Sequence, residues 1–119
     1  MLAGKRAIRV GDQLLREIAD LLSRKVRDPR VRKTTVTAVH LSNDLKYARV
    51  YFSVYGDDND VREAEAGLNS AKGFIKREIG RRLELKYMPD LIFRHDPSLE
   101  MGEHMKKLFE KLNREGEDR

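Results

Sequence analysis

Apolar and polar residues alternate along this chain with two different periods. Leu14, Leu15, Ile18, Leu21 and Leu22 recur at three- and four-residue spacing. That spacing predicts an amphipathic helix over residues 10–25 with one apolar stripe. Asp12, Glu17 and Asp20 lie in its N-terminal and middle turns and Arg24, Lys25 and Arg27 at its end, the order the helix dipole favours. Asp28-Pro29 stops it, because the residue before a proline avoids helical angles. From Thr34 the period changes to two. Thr34 to Leu41 is rich in β-branched residues and predicts a strand. Ser42-Asn43-Asp44 supplies turn chemistry. Tyr47 to Val54 predicts a second strand, with Ala48, Val50, Phe52 and Val54 on one face and Tyr47, Arg49, Tyr51 and Ser53 on the other. So short a connection makes the two strands a hairpin, with the apolar face turned to helices and the other face wetter.

Residues 56–60 predict a loop in which Asp60 is the N-cap candidate. A helix follows over 61–70 and meets Ala71-Lys72-Gly73. A second helix runs over 74–85 with Ile75, Ile79 and Leu83 as its stripe. Met88-Pro89 ends that section. Leu91 to His95 predicts a third strand, able to pair parallel to the hairpin because a helical crossover precedes it. Asp96-Pro97-Ser98 is a turn, and Ser98 can cap a last helix reaching Leu112, with Met101, Met105, Leu108 and Leu112 on its apolar side. Residues 113–119 read as a flexible tail. The fold class is α+β in one domain spanning 1–119, ordered helix, strand, strand, helix, helix, strand, helix, with a three-stranded sheet covered by helices on one face.

Charge changes the picture more than composition does. The 119 residues carry 25 Lys and Arg against 20 Asp and Glu, net +5. The excess is uneven. Residues 1–33 hold 10 basic and 4 acidic residues and 72–94 hold 7 and 3, whereas 34–71 and 95–119 are net acidic. Two basic blocks merging in one fold would suit a polyanion; a set of solvated helix faces explains the same charges, and charge alone leaves both open. Cysteine is absent, which excludes disulfides and thiolate metal sites. No apolar run approaches the roughly 20 residues a bilayer span needs. A cytoplasmic protein without a membrane partner is the expectation.

The candidate chemistry is recognition, not catalysis. Lys72 would sit at the tip of a helix-to-helix bend between Ala71 and Gly73, where the N–H groups opening the next helix could receive a phosphate. A plain packing kink accounts for Ala71 better and for Lys72 about equally well. Arg77 and Arg81 share a face opposite Ile75 and Ile79, flanked by Lys76 and Arg82, with Glu78 the one acid among them. That density of cations exceeds the mixed signs of an ordinary solvated face, and the guanidinium fork suits phosphate. Residues 1–8 read as a basic arm carrying Lys5 and Arg6, with Arg9 next to it. Arg24, Lys25, Arg27, Arg30, Arg32 and Lys33 cluster near the first helix end and are weaker candidates. Tyr47, Arg49, Tyr51 and His40 could stack on splayed bases, although such residues are ordinary on a half-exposed strand. His40, His95 and His104 are scattered, and adjacent His95 and Asp96 on a strand end point to opposite faces. No nucleophile motif or phosphate-cradling glycine loop occurs. Neither a cofactor, a metal nor a small-molecule substrate is expected.

Four stretches, in order, carry a family likeness: Asp28-Pro29-Arg30-Val31; Leu41 through Tyr51; Ala71 through Gly80, reading AKGFIKREIG; and Leu85 through Phe93 followed by Asp96-Pro97-Ser98-Leu99. From about Arg6 to Leu112 the chain resembles the ribosome-binding factor A family. The resemblance implies a type II KH-like fold in which an Ala-x-Gly kink, here Ala71-Lys72-Gly73, replaces the usual GxxG loop. It also implies a monomeric, non-catalytic factor for late maturation of the 30S ribosomal subunit. Such a factor binds 16S rRNA near the decoding region and 5′-terminal helix, promotes precursor processing and supports growth in the cold. Lys72, Lys76, Arg77, Arg81 and Arg82, with Lys46 and Arg49 along the hairpin, are the expected RNA contacts. Lys76 and Lys86 stand where the family commonly has arginine, which keeps the charge and loses the bidentate fork.

Overall fold

The structure, a computed structural model, describes residues 4–97. The expected last helix and the tail lie outside the described residues.

Helix α1 spans Lys5–Arg24. It starts earlier than the leucine stripe alone suggests, because Ala7, Val10 and Gly11 extend the same buried face that Leu14, Ile18 and Leu21 continue. Lys5, Arg6 and Arg9 therefore belong to this helix and not to a basic arm. The start is fastened to the hairpin turn, where the Gly4 N–H donates to Asn43 Oδ1 at 2.9 Å. Close packing also explains Gly11: a Cβ there would stand 3.1 Å from the Val39 carbonyl oxygen. After α1 a short 3₁₀ turn, Pro29–Val31, is capped by the Asp28 carboxylate, which accepts from the Arg30 N–H at 2.9 Å.

Strands β1 (Thr34–Leu41) and β2 (Tyr47–Val54) have the predicted bounds and pair antiparallel, with a bulge between Val36 and Ala38. In the turn, Ser42 Oγ donates to Asp44 Oδ1 at 2.6 Å, and the same carboxylate oxygen accepts from the Lys46 N–H. Leu45 takes a φ of 62°, an unusual left-handed conformation for a leucine, and packs against the core. Strand β3 (Asp90–His95) lies parallel to β2, giving the mixed order β1-β2-β3. Ala48, Val50 and Phe52 are fully buried on the helix-covered face.

Helix α2 spans Asp58–Arg82. Its N-cap is Asp57, not Asp60. Asp60 completes a reciprocal box in which each carboxylate accepts the other residue's N–H, at 3.0 and 2.9 Å. Where the sequence predicts two helices meeting at Ala71-Lys72-Gly73, α2 is one continuous helix. The fully buried series Ala64, Leu68, Ile75 and Ile79 holds one face against the core across the glycine. A single helix-interior glycine costs only about 1 kcal/mol, which such packing outweighs.

Candidate nucleic-acid interface

Ile75 and Ile79 point into the core with no exposed surface, which fixes where the cations of α2 can go. Arg77 and Arg81, set across the helix from them, are exposed. Arg77 enters none of the ion pairs among the described residues, and one of its guanidinium nitrogens lies 3.7 Å from where a Cβ on Gly73 would be. Arg81 meets Glu78 at 3.3 Å and keeps 76% of its side chain exposed. A contact so exposed is easily exchanged for another anion.

The other candidates on this helix are committed to the fold to different degrees. Lys72 is half-buried, its ammonium 5.9 Å from the centre of the Phe93 ring. It sits inside a continuous helix, so there is no helix N-terminus beside it to receive a phosphate. Ala71 and Gly73 are likewise interior helical positions. Lys76 reaches Asp90 at 3.5 Å, tying α2 to the start of β3. Arg82 is tied into the fold: one nitrogen donates to Glu17 at 2.8 Å and to Asp20 at 2.7 Å, both on α1. Asp20 also meets Arg24 at 3.0 Å. Arg82 is a cross-helix tie.

This tie makes stability depend on acid. The Arg82 guanidinium, by hydrogen bonding, holds the Asp20 carboxyl below the usual carboxylate range, and its two carboxylates raise Arg82. A carboxylate with a depressed folded pKa adds stability above its unfolded value, near pH 4, and loses it as pH falls through the folded value. Arg82→Ala should therefore lower the melting temperature at neutral pH. The gap to the parent protein should close as pH drops below about 4, which circular-dichroism melts across a pH series would read. A gap unchanged in acid would contradict the tie.

Gly73 and Gly80 flank the arginine ridge on the exposed side of α2. A Cβ at Gly80 would meet nothing within 4 Å. Gly80→Ala should stabilise the protein by about 0.5–1 kcal/mol through helix propensity alone, measurable by chemical denaturation.

Lys46 and Arg49 lie on the hairpin side, and both are exposed. Asp90 joins the two regions: its carboxylate takes Lys76 while its N–H donates to the Lys46 carbonyl at 2.8 Å. The structure thus gathers Lys46, Lys72 and Lys76 near β3, sets Arg77 and Arg81 on the solvent ridge of α2, and removes Arg82 to the α1 side. Among the weaker candidates, Arg30 is clamped to Asp28 at 2.6 Å, and Lys33 lies 3.8 Å from Asp60. One cation escaped the sequence reading. Arg94 is exposed on β3, and the alternation of buried Leu91 and Phe93 with Ile92 and Arg94 was the available signal.

Among the described residues no group of three or more His, Cys, Asp or Glu could hold a metal ion, and no helix is long and apolar enough to cross a membrane. His95 packs near Phe52, with ring centres 5.7 Å apart, whereas Asp96 accepts from the Thr37 hydroxyl at 3.2 Å, so the adjacent pair diverges.

Residues 6–109 match the family described as Ribosome-binding factor A. A relative of that name from Syntrophus aciditrophicus is 47% identical over 114 residues, covering 96% of this chain and 93% of its own. The solution structure of a putative ribosome binding factor A from Thermotoga maritima superposes with a TM-score of 0.68 at 31% identity, over 79% of this chain and 90% of that one. A Thermus thermophilus ribosome binding factor A homology model, fitted into a cryo-electron-microscopy map of a 30S complex, gives 0.64 at 26% identity, over 76% and 96%.

Proposed function

The chain belongs to the ribosome-binding factor A family, and we propose that it binds the small ribosomal subunit late in that particle's maturation, laying the α2 ridge against 16S rRNA. The observation that carries this reading is the relative fitted into the map of a 30S complex. The site assignment is supported by the contrast within α2: Arg77 and Arg81 remain available to phosphate, whereas Arg82 is spent on α1. Lys72 and Lys76 extend the positive area towards β3 and Lys46 carries it to the hairpin, whereas Arg49, set between buried Ala48 and Val50, adds a cation on the opposite face of the sheet.

The mechanism needs no bond-making. Lysines and arginines displace counterions from the phosphates and set the orientation of the protein on folded RNA. A factor that favours one arrangement of a mobile rRNA region stabilises it by the difference in its affinities for the alternatives. The decoding region and the 5′-terminal helix are the proposed location. Promotion of precursor processing and support of growth in the cold would follow from holding that arrangement. The protein acts as a cytoplasmic monomer and cleaves nothing itself.

Co-sedimentation with immature and mature small subunits over a salt series tests this. The expected result is stronger retention on immature particles and a steep loss of binding as salt rises. Salt-insensitive binding would place the contacts on ribosomal proteins.

A further inference from the structure

We propose that the open face of the sheet, away from α1 and α2, is a platform for single-stranded RNA, with bases stacked on Tyr47 and Tyr51 and phosphates held by Arg49 and Arg94. It rests on the reading that RNA is the partner and adds a second surface of different chemistry.

Strand β2 is central, so its outward side chains have neighbours on both sides. Tyr47 lies opposite Asp90; Arg49 lies between His40 and Ile92; Tyr51 lies between Ala38 and Arg94. Tyr47, Arg49 and Tyr51 therefore form an aromatic–cation–aromatic row along the middle of the face, spanning about 13 Å at strand spacing. Tyr47 is 53% exposed, Arg49 and Arg94 are exposed, and Tyr51 is half-buried. The His40 ring meets Tyr51 edge-on, with centres 5.1 Å apart and planes at 63°, an arrangement that orders the tyrosine.

Charge selects the occupant. Neither Arg49 nor Arg94 enters an ion pair among the described residues, while Asp90, the carboxylate opposite Tyr47, is taken by Lys76 at 3.5 Å. Arg49 and Arg94 thus set two cations beside the ring surfaces, while Asp96, two residues beyond Arg94, accepts from the Thr37 hydroxyl at 3.2 Å. That combination fits a polyanion that also presents flat faces. A single strand offers both, whereas an A-form duplex keeps its bases stacked on one another and offers phosphates alone.

The chain has no Trp, so tyrosine emission can be read directly. The test titrates the full-length protein with a ten-nucleotide oligouridylate and with a duplex RNA of equal length. The single strand should quench tyrosine emission and bind more tightly than the duplex. Tyr47→Ala with Tyr51→Ala should weaken oligouridylate binding at least about tenfold, each stack being of that order. Phenylalanine at both positions should restore it, since the ring and not the hydroxyl does the stacking. Arg49→Ala should lower the salt slope by about one, with the rings intact and melting unchanged. Arg77→Glu with Arg81→Glu should leave oligouridylate binding in place, which separates this surface from the α2 ridge. Equal affinity for strand and duplex would overturn the platform. So would no binding of oligouridylate, or unchanged affinity in the folded alanine pair.

Discussion

Glutamate at both Arg77 and Arg81 should weaken binding to the small ribosomal subunit by about a hundredfold or more at moderate salt, with the fold intact. Each replacement removes a phosphate contact and sets an anion against the polyanion. Neutralising two contacts alone lowers the salt slope by about two, so the effect should be largest in dilute buffer. Folding should be spared, because both side chains point away from buried Ile75 and Ile79, and the one ion pair between them, Arg81 with Glu78, is exposed. Lysine at both positions should lose less, since charge stays and the bidentate fork goes. Arg82→Ala is the informative neighbour: it removes a cation from the same helix turn, yet its guanidinium is already held by Glu17 and Asp20. It should shift melting and hardly shift subunit affinity. Co-sedimentation of the three variants over a salt series reads the affinities, and circular-dichroism melts read the stability. Retained binding by the glutamate pair would remove the ridge from the interface.

What was legible in the sequence depended on how local the cause was. The bounds of both strands could be read to the residue, because the alternation from Tyr47 and the Ser42-Asn43-Asp44 turn are properties of neighbouring positions, whereas the bulge between Val36 and Ala38 and the burial of Ser53, expected on the wetter face, could not. The start of α1 was hidden, since Ala7 and Gly11 are too small to register as an apolar stripe although both are buried. Gly73 read as a break because glycine is a poor helix former, while the packing that carries α2 through it involves strands far away in sequence. The arginine ridge was visible as an i, i+4 pair. That Arg82 belongs to the scaffold was not, because its partners Glu17 and Asp20 lie 65 and 62 residues away. Lys72 was misplaced for the same reason as the break at Gly73: a helix end was inferred where α2 runs on.

Gly67 shows how far such a hidden cause reaches. It is buried on α2 where the helix crosses the 3₁₀ turn, and a Cβ there would stand 2.9 Å from Val31 Cγ1 and 3.1 Å from Arg30 Cβ. The turn has little room to yield. Pro29 restricts its backbone, Asp28 caps it, and Arg30 is clamped to Asp28 while also donating to Ser70 of α2 at 3.4 Å. Gly67→Val should therefore destabilise the protein by about 1–3 kcal/mol through overpacking. The sign is opposite to that expected at Gly80, although both residues lie in the same helix and propensity favours replacement at each. Chemical denaturation should show a lower midpoint with an unchanged slope, the mark of lost stability without a change in surface exposed. Gly67→Ala should fall between, its propensity gain set against the close contact. A valine variant as stable as the parent would mean that the turn moves freely. In that case the Asp28-Pro29-Arg30-Val31 stretch could not be what seats α2, and the helix that presents Arg77 and Arg81 would owe its position to the sheet and to α1.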